Sequence, residues 1–314
     1  MSDTTHPAEP KSSPLRNVVR HAAQYVPALD AILRERHLRY RMRAALGYDP
    51  NLSQPATFNE KLGWRILHDR NPLLALTTDK INARGYVADR VGNDVLVPLL
   101  GIWSRAEDIE WEKLPNRFVL KGSHGWNMNL LVHDRTVLDI PTAVSQANGW
   151  LRRNHYETAG EWAYRDLTPR LLAEEMLLDA DGGIPADLKF YVFHGRVRLL
   201  RVHIGRHGHH RANSYNERLE PWSVRQAHEP DPSYVLPPET QDALRLAERI
   251  GEEFDFARVD LYCVGGRVFF GEITHYDGNA CSPFSPAGLD RVIGDYWTLP
   301  SSHRSASSTA IVPR

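Results

Sequence analysis

Cysteine is scarce in this chain of 314 residues, in which only Cys263 and Cys281 occur. Their spacing fits neither a disulfide framework nor a cysteine-based metal site, so a reducing compartment is expected. Long apolar runs are lacking as well, because no stretch reaches the roughly 18 apolar residues that a membrane-spanning helix needs. The first 30 residues contain no apolar core of a secretory signal. Together these absences predict a cytoplasmic protein.

An excess of one charge sign is also missing. The formal net charge is −1, with 25% charged and 42% hydrophobic residues. This is the composition of an ordinary globular protein that is long enough to bury a core. Proteins whose whole surface binds nucleic acid are strongly basic, so no nucleic-acid partner is expected.

The two ends of the chain differ in composition from its middle. Residues 1–14 are rich in Ser, Thr, Pro and charge, which predicts a disordered tail. Residues 301–314 form a second polar tail. Helical patterns dominate an N-terminal region over residues 15–100, and hairpin patterns dominate residues 101–300. Helices first and antiparallel strands afterwards are typical of an α+β fold with two or three lobes.

One predicted helix near the N-terminus is strongly basic. Its arginines are Arg34, Arg36, Arg39, Arg41 and Arg43. A solvated helix face is the commoner meaning of such a run. The alternative is a surface that approaches anionic lipid or an acidic glycan. Peripheral contact with the inner face of the membrane through Arg34–Arg43 therefore stands as a second expectation for the location.

Two further helices have recognisable start signals. Thr57 is followed three residues later by Glu60, which is the spacing of a capping box. Thr77 or Thr78 is expected to cap the next helix, which would end near Gly92.

A lysine followed by glycines ends a predicted strand. Lys121 comes directly after the apolar run 118–120, and a turn with Gly122 and Gly125 leads into a second apolar run at 130–132. Glycine lets backbone N–H groups approach an anion, and the ammonium adds a charge, so the loop is a candidate phosphate cradle. It is no P-loop, since no GK[ST] opens a helix. The alternative is a plain hairpin with an exposed lysine.

Two segments beyond residue 170 carry strand patterns. Residues 170–178 fit either a helix or a strand, whereas residues 187–201 alternate around His194-Gly195 and predict a hairpin. The next loop is dense in His and Arg. Its histidines His207, His209 and His210 lack helical spacing, so an anion-binding loop is favoured over a metal site, and a solvated loop remains the plainest alternative.

The most unusual stretch is residues 254–279, which predicts two strands around a Gly-Gly turn. Arg258 and Asp260 share one face by period two, and Glu272 lies near the end of the second strand. Paired carboxylates of this kind hold hard divalent cations such as Mg²⁺. A solvated amphipathic hairpin is the alternative.

Five segments in a fixed order carry a resemblance to a known family. They read FNEKLGWRI, TDK with a later RGYV, FVLKGSHG, RVD and FGEIT. From about Phe58 to Pro300 the chain resembles the ATP-grasp superfamily, most closely its TupA-like branch, whose founding member acts in teichuronopeptide synthesis. The resemblance implies two α+β subdomains, residues 101–175 and 176–300, that grip ATP between antiparallel sheets. The second would carry the metal site.

The resemblance also implies a role for each matching residue. The nucleotide contacts would be Lys80, Lys121, Gly122, Ser123, Glu174, Glu175, Met176, Leu177, Asp187 and Lys189. Lys121 would meet the α- and β-phosphates, and Glu174 with the backbone of 175–177 would meet the adenine edge. Arg258 and Lys189 would be catalytic at the transferring phosphoryl group. The Mg²⁺ ligands would be Asp260, Glu272 and Thr274, the last standing where the family commonly has Asn.

These roles imply an ATP-dependent carboxylate–amine ligase with ATP and Mg²⁺ as cofactors. It would join an amine to a small-molecule or glycan carboxylate through an acyl phosphate, in the modification of a cell-surface polysaccharide. Two alternatives compete with this function. One is a glycosyltransferase, in which Asp260 and Glu272 would hold a metal on a sugar-nucleotide diphosphate. The other is a non-catalytic nucleotide-binding module, which is disfavoured because Lys121, Lys189, Asp260 and Glu272 are all present.

Overall fold

The computed structural model describes residues 27–206 and 208–300. The predicted tails 1–14 and 301–314 lie outside the described residues. No helix in the described ranges is long and apolar enough to cross a bilayer.

Helices form the first part of the described chain. Their bounds are α1 Pro27–Leu46, α2 Phe58–His68, α3 Pro72–Thr78 and α4 Lys80–Val91. The capping box at the start of α2 is confirmed, because the Thr57 hydroxyl accepts from the Glu60 amide and the Glu60 carboxylate accepts from the Thr57 amide. The end of α4 at Gly92 is confirmed as well.

The predicted cap of α4 was wrong by one or two residues. Thr77 and Thr78 are the last residues of α3, and Asp79 is the N-cap of α4. Its Oδ1 accepts hydrogen bonds of 2.9 Å from the amides of Ile81 and Asn82. Aspartate is as good an N-cap as threonine. The two threonines are not available as caps of α4, because they belong to the last turn of the short helix α3.

The first sheet has four antiparallel strands in the order β1-β4-β2-β3. Their bounds are β1 Leu99–Trp103, β2 Phe118–Gly122, β3 Asn129–Val132 and β4 Leu171–Glu175. Helices α5 Ile140–Leu151 and α6 His155–Ala159 connect β3 to β4. The segment 170–178, which fitted two patterns, is therefore a strand over its first half. The first and last strands of this sheet in chain order, β1 and β4, are neighbours, and the start of β1 lies beside the end of β4 because Leu99 pairs with Glu174.

The second sheet has five antiparallel strands in the order β7-β6-β5-β8-β9. Their bounds are β5 Asp187–Phe193, β6 Arg196–Ile204, β7 Arg211–Tyr215, β8 Phe256–Val264 and β9 Arg267–Thr274. Helix α7 Thr240–Gly251 precedes β8, and α8 Leu289–Asp295 follows β9. The predicted hairpins around His194-Gly195 and Gly265-Gly266 are both present, with positive φ at all four residues.

Short 3-10 turns link these elements. They are Asn93–Val95, Ala106–Asp108, Trp111–Lys113, Arg135–Val137, Trp162–Tyr164 and Asp277–Ala280. The last of them is separated from the end of β9 by two residues and begins with a buried aspartate.

Two hydrophobic clusters divide the described chain. The larger joins the N-terminal helices to the second sheet, with Phe58 packed against Tyr191, Phe193 and Phe256. The smaller lies between the first sheet and α5, around Trp150. The N-terminal helices thus share their core with strands more than a hundred residues away in sequence. The fold is a mixed α+β fold, as predicted.

The arginines of α1 mostly contact the chain itself. Arg34 pairs with Asp30 and reaches the carbonyl of Tyr156, while Arg39 pairs with Glu35. Arg41 reaches the side chain of Asn279. These contacts account for much of the basic charge of the helix. Contact with a membrane through Arg34–Arg43 stays a prediction.

Candidate active site

The hairpin β8–β9 brings its two carboxylates together. Asp260 and Glu272 are direct cross-strand partners, and the register shifts immediately afterwards so that Leu261 pairs with Phe270. Gly271 fills the irregular position, where a Cβ atom would lie 3.0 Å from the carbonyl oxygen of Asp260 and 2.9 Å from the Tyr262 ring. The bulge therefore requires a residue without a side chain and sets the orientation of Glu272.

Arg258 lies at the centre of this hairpin and holds several acceptors at once. Its guanidinium donates to both carboxylate oxygens of Asp260, at 2.7 and 2.8 Å. It also pairs with Asp277 and donates to the Thr274 hydroxyl at 3.0 Å. Glu272 Oε1 is 3.4 Å from its Nη2 atom. A planar fork held on several sides is fixed in orientation.

Burial and charge compete for the ionisation of this pair. Burial would lower the pKa of Arg258, but the charges of Asp260 and Asp277 outweigh it and hold that pKa well above its usual range. Burial raises the pKa of Asp260, and the charges of Arg258 and Lys189 offset that effect only in part. Arg258 therefore stays cationic, and Asp260 stays bound to it.

Lys189 lies beside the same aspartate, on the neighbouring strand. Strand register pairs Lys189 with Asp260, and its ammonium is 2.5 Å from Asp260 Oδ2 and 2.8 Å from Asp187 Oδ2. Asp187 also pairs with Arg206 at 2.6 Å. Burial would raise the pKa of Asp187, but Lys189 and Arg206 lower it. Asp187 Oδ1 is buried and has no hydrogen-bond partner among the described residues.

Glu272 differs from Asp260 in its exposure. Its side chain is 34% exposed, against 2% for Asp260. Burial would raise the pKa of Glu272, yet the positive charges of Lys80 and Arg258 outweigh it and lower the pKa to about 2. Glu272 is therefore an ionised, accessible carboxylate, which is the form that binds a hard cation.

Lys80, the first residue of α4, connects the two sheets. Its ammonium donates to the Gly125 carbonyl at 2.6 Å, in the loop after β2, and is 3.5 Å from Glu272 of β9. The loop of the first sheet and the carboxylates of the second sheet therefore face each other across one lysine side chain. This arrangement defines the cleft of the candidate site.

The amides at the start of the glycine loop are already bonded. Gly122 donates to the carbonyl of Met128 at 2.8 Å, and Ser123 donates to the carbonyl of Arg170 at 2.9 Å. The Ser123 hydroxyl donates to Asp79 at 2.9 Å. Gly122 is needed for another reason, since a Cβ atom there would lie 2.8 Å from the Met128 sulfur. In this conformation the anion-binding amides of the loop would be those after Ser123.

The tip of the loop is anchored to the segment after α6. The Trp126 ring stacks on His155, with centroids 4.3 Å apart, and its indole N–H donates to Glu161 at 3.2 Å. Burial raises the pKa of Glu161 to about 7, because the hydrogen bond from Trp126 and the charge of Arg41 offset it only in part. The contacts of Trp126 with His155 and Glu161 restrict the motion of the loop tip.

Lys121 and Glu174 form an ion-paired group on the first sheet. Glu174 accepts from Lys121 and from Arg84, each at 2.5 Å. Its carboxylate is thus engaged with cations on β2 and α4, and the adenine contact expected of it stays a prediction. Glu175 donates its amide to the Pro98 carbonyl at 3.0 Å. Met176 and Leu177 follow as half-buried residues beyond β4.

Several residues of the site were not assigned roles from the sequence. Asp277 pairs with Arg258 and accepts a 2.8 Å hydrogen bond from Tyr191. Arg206 pairs with Asp187. Tyr191 could have been found, because it continues the alternation of Asp187 and Lys189 on one face. Asp277 and Arg206 lie in irregular segments, where periodicity gives no signal.

A family model described as TupA-like ATPgrasp matches residues 60–298. The chain belongs to the TupA-like ATP-grasp family. The resemblance drawn from the five sequence segments is thereby confirmed, and with it an ATP-grasp fold of two antiparallel sheets. Among proteins with curated descriptions, none matches this TupA-like protein in sequence.

Solved structures similar to this TupA-like protein include two ligases and one synthase. A D-alanine–D-alanine ligase from Bacillus anthracis complexed with ATP is 13% identical, with 65% of this chain and 55% of that chain covered and a TM-score of 0.39. An L-amino acid ligase from Bacillus licheniformis is 15% identical, with 87% and 56% covered and a TM-score of 0.39. An N5-carboxyaminoimidazole synthase from Aspergillus clavatus is 14% identical, with 72% and 53% covered and a TM-score of 0.39. The matching region spans little more than half of each of these enzymes.

Proposed function

We propose that this TupA-like protein is an ATP-dependent, ADP-forming carboxylate–amine ligase. The observation that carries the proposal is the convergence of Lys80, Lys189 and Arg258 with the carboxylates of Asp260 and Glu272 across one cleft. Phosphoryl transfer depends mainly on positioning and on neutralising charge, and this site supplies oriented cations beside carboxylates that can hold a metal.

The nucleotide would lie between the two sheets. We assign its phosphates to Lys80, Lys121 and Lys189, together with the loop amides that follow Gly122 and Ser123. The segment from Glu174 to Leu177 would meet the adenine, and Asp187 the ribose. In support, Lys80 already joins the loop to the second sheet, and Lys189 is held in place by two aspartates.

The donor set suits a magnesium ion. Glu272 is ionised and accessible, and the buried Asp187 Oδ1 has no hydrogen-bond partner among the described residues. Asp260 would have to release Lys189, because both of its oxygens are engaged by cations. The Thr274 hydroxyl accepts from Arg258, which makes it a weaker ligand candidate than the carboxylates. Bound magnesium would offset the negative charge of the phosphate oxygens.

The proposed ligation takes place in two steps. A carboxylate oxygen of the acid attacks the γ-phosphorus, and the bond to the ADP oxygen breaks. The amine nitrogen then bonds to the carbonyl carbon, the bond to phosphate breaks, and a proton leaves the nitrogen for solvent. Lys189 and Arg258 would carry the charge that develops on the transferring group. Water must be excluded meanwhile, since the acyl phosphate hydrolyses.

The acid substrate is proposed to be a uronic acid of a cell-surface polysaccharide or glycopeptide polymer, joined to an amino acid. This substrate class follows from family membership. In support, Arg201 is the cross-strand partner of Lys189, and Arg206 pairs with Asp187, so both contribute positive charge near Lys189. An acidic acceptor is favoured electrostatically by such surroundings.

Thermal unfolding with added ligands tests the nucleotide assignment. A non-hydrolysable ATP analogue with Mg²⁺ at a hundredfold excess over Kd should raise Tm by about 5 °C, whereas UDP-sugars should not. Glu272→Gln and Lys121→Ala should abolish this rise while remaining folded. The exposed residues Glu217 and Lys113 provide matched controls as Glu217→Gln and Lys113→Ala.

Three outcomes would contradict either the nucleotide assignment or the ligase function. Stabilisation by UDP-sugars alone would favour a glycosyltransferase. Full nucleotide affinity in Glu272→Gln or Lys121→Ala would remove those residues from the site. Nucleotide binding without ADP release, across a panel of acid and amine pairs that includes uronic acids and amino acids, would leave a nucleotide-binding module. ADP release that requires both an acid and an amine is the result expected of a ligase.

A further inference from the structure

Three histidines converge at one end of strands β6 and β7. They are His203, His210 and His228, and one nitrogen atom of each lies within 4.8 Å of the others. His203 Nδ1 is 2.9 Å from His210 Nε2, and the rings of His210 and His228 are 3.6 Å apart between centroids. We propose that these three imidazoles bind a divalent transition metal of the zinc class, with a fourth position open to an anionic oxygen ligand.

The spacing of the nitrogens suits this metal. Zinc binds imidazole nitrogen at about 2.0–2.1 Å, so ligand nitrogens around a tetrahedral ion lie about 3.3 Å apart. One nitrogen pair is 2.9 Å apart and all three nitrogens lie within 4.8 Å of one another, so side-chain adjustments of about 1.5 Å or less would bring them to that spacing. Carboxylate and water ligands would suit magnesium better, which distinguishes this cluster from the site at Glu272.

The backbone holds the three residues in place before any metal binds. His203 pairs with Ala212 in the β6–β7 ladder, two residues beyond His210. Between the two strands, Gly205 has φ +62, and a Cβ atom there would lie 2.8 Å from the carbonyl oxygen of His209. His228 is brought in by the hydrogen bond from the Ala212 amide to the Glu229 carbonyl, at 3.0 Å. Such preorganisation reduces the cost of binding.

The imidazoles are in the form that ligates metals. Burial, followed by the charges of Lys189 and Arg201, holds the pKa of His203 well below its usual range. Burial, followed by the neighbouring His228, lowers the pKa of His210 to about 4. Protonation is thus disfavoured at both rings, in keeping with the convergence of three nitrogens on which the site rests.

The surroundings favour a fourth coordination position that is open to an anionic ligand. Three protein ligands are typical of zinc sites that keep one exchangeable position, whereas structural sites have four. Positive charges from Lys189, Arg201 and Arg206 surround the cluster. They would repel a bare dication and attract a carboxylate or phosphate oxygen bound to it. The cluster adjoins Asp187 through the pairing of that residue with His203.

Metal titration of the full, tag-free chain tests the site without nucleotide. Zn²⁺ in competition with a chromophoric chelator should give one equivalent bound, and Co²⁺ should give the visible bands of tetrahedral coordination. His210→Gln and His228→Gln should each weaken Zn²⁺ binding by more than the roughly 10- to 100-fold that loss of an outer-shell partner costs. The exposed His209 lies in the same loop, so His209→Gln is the matched control and should bind normally.

Folding and function are checked separately. Both cluster variants should keep the far-UV circular dichroism spectrum and the Tm rise with an ATP analogue, so failure of the metal site is distinguishable from failure of the ligase proposal. Less than one equivalent of Zn²⁺ at micromolar concentration would overturn the site, as would equal weakening in His209→Gln. Acetate or phosphate should alter the Co²⁺ spectrum; an unchanged spectrum would overturn the open fourth position.

Discussion

Arg258 shows how one side chain can organise a site. A guanidinium has five N–H donors in a fixed plane, and here they serve Asp260, Asp277 and Thr274 together. A lysine could not satisfy these acceptors with the same geometry. The side chain is 11% exposed, so its position depends on these partners more than on solvent.

Asp277 provides a test of this arrangement. Asp277→Asn should lower the free energy of unfolding by about 2 kcal/mol, because it removes one charged partner of buried Arg258 while Asp260 remains. Tyr191→Phe should cost about 1 kcal/mol, since it removes one neutral donor from the same carboxylate. Urea unfolding measures both values.

The control for this test is Asp242→Asn, at an exposed position of α7. Its effect should stay within about 0.5 kcal/mol. The Tm rise with an ATP analogue should survive in Asp277→Asn, because Asp277 is assigned to Arg258 and not to the nucleotide. Loss of that rise would place Asp277 in the nucleotide site instead.

Residues on regular strands could be placed from sequence, and residues in irregular segments could not. Arg258 and Asp260 were assigned to one face because side chains alternate along a strand. The partners of His210 were missed, because His203 and His228 are brought to it by strand pairing and by a loop. Only the tertiary structure relates such positions.

At the scale of elements, the hairpins were the most predictable parts. Their alternation and their Gly-bearing turns are local signals, and the structure has them where expected. The apolar run from Val95 to Leu100 predicts a strand over those residues, but Val95 ends a 3-10 turn and strand β1 includes only the last two of them, Leu99 and Leu100. A short apolar run shows burial but not where pairing starts.

The contact between α2 and α8 depends on one glycine. A Cβ atom at Gly294 would lie 2.6 Å from the carbonyl oxygen of Ala56 and 2.7 Å from the Phe58 amide nitrogen. Lys61 donates to the Gly294 carbonyl at 2.8 Å across the same contact. Gly294→Ala should therefore lower the free energy of unfolding by about 1–3 kcal/mol, measured by urea titration.

Gly149 in α5 is the matched control for this substitution. No atom lies within 4 Å of the position that its Cβ would take. Gly149→Ala should raise the free energy of unfolding by about 0.5–1 kcal/mol, since alanine loses less backbone entropy in a helix. Equal effects of the two substitutions would show that the close approach of α8 does not limit stability.

For the whole molecule, Lys80 links the parts of the chain that contain the two hydrophobic clusters. Helix α4 belongs to the larger cluster, and its first residue, Lys80, reaches the loop of the smaller one. That the N-terminal helices pack on the second sheet could not be read from the sequence, because apolar periodicity does not say which face meets which.

Lys80→Ala should loosen this connection. Amide exchange in residues 122–129 should become roughly tenfold faster, because a charge-assisted hydrogen bond of about 1.5 kcal/mol is lost. Hydrogen exchange with mass spectrometry measures the rate in each segment, and β6 serves as the internal reference. Lys113→Ala is the control variant and should leave the exchange rate of residues 122–129 unchanged. The link would be contradicted if Lys80→Ala left that rate unchanged, if it accelerated exchange equally in β6, or if Lys113→Ala had the same effect.

The adjacent entry and exit of the first sheet have a mechanical consequence. Leu99 pairs with Glu174, and the Glu175 amide bonds to Pro98. A rotation of this sheet would have its axis at that end of the strands. Lys121 pairs with Leu172, two residues along β4 from Glu174, so the loop after it begins roughly 10 Å along the strands from the axis. The segment of Met176 and Leu177 lies near the axis and would barely move. A ligand held there would stay in place while the loop swept over its other end.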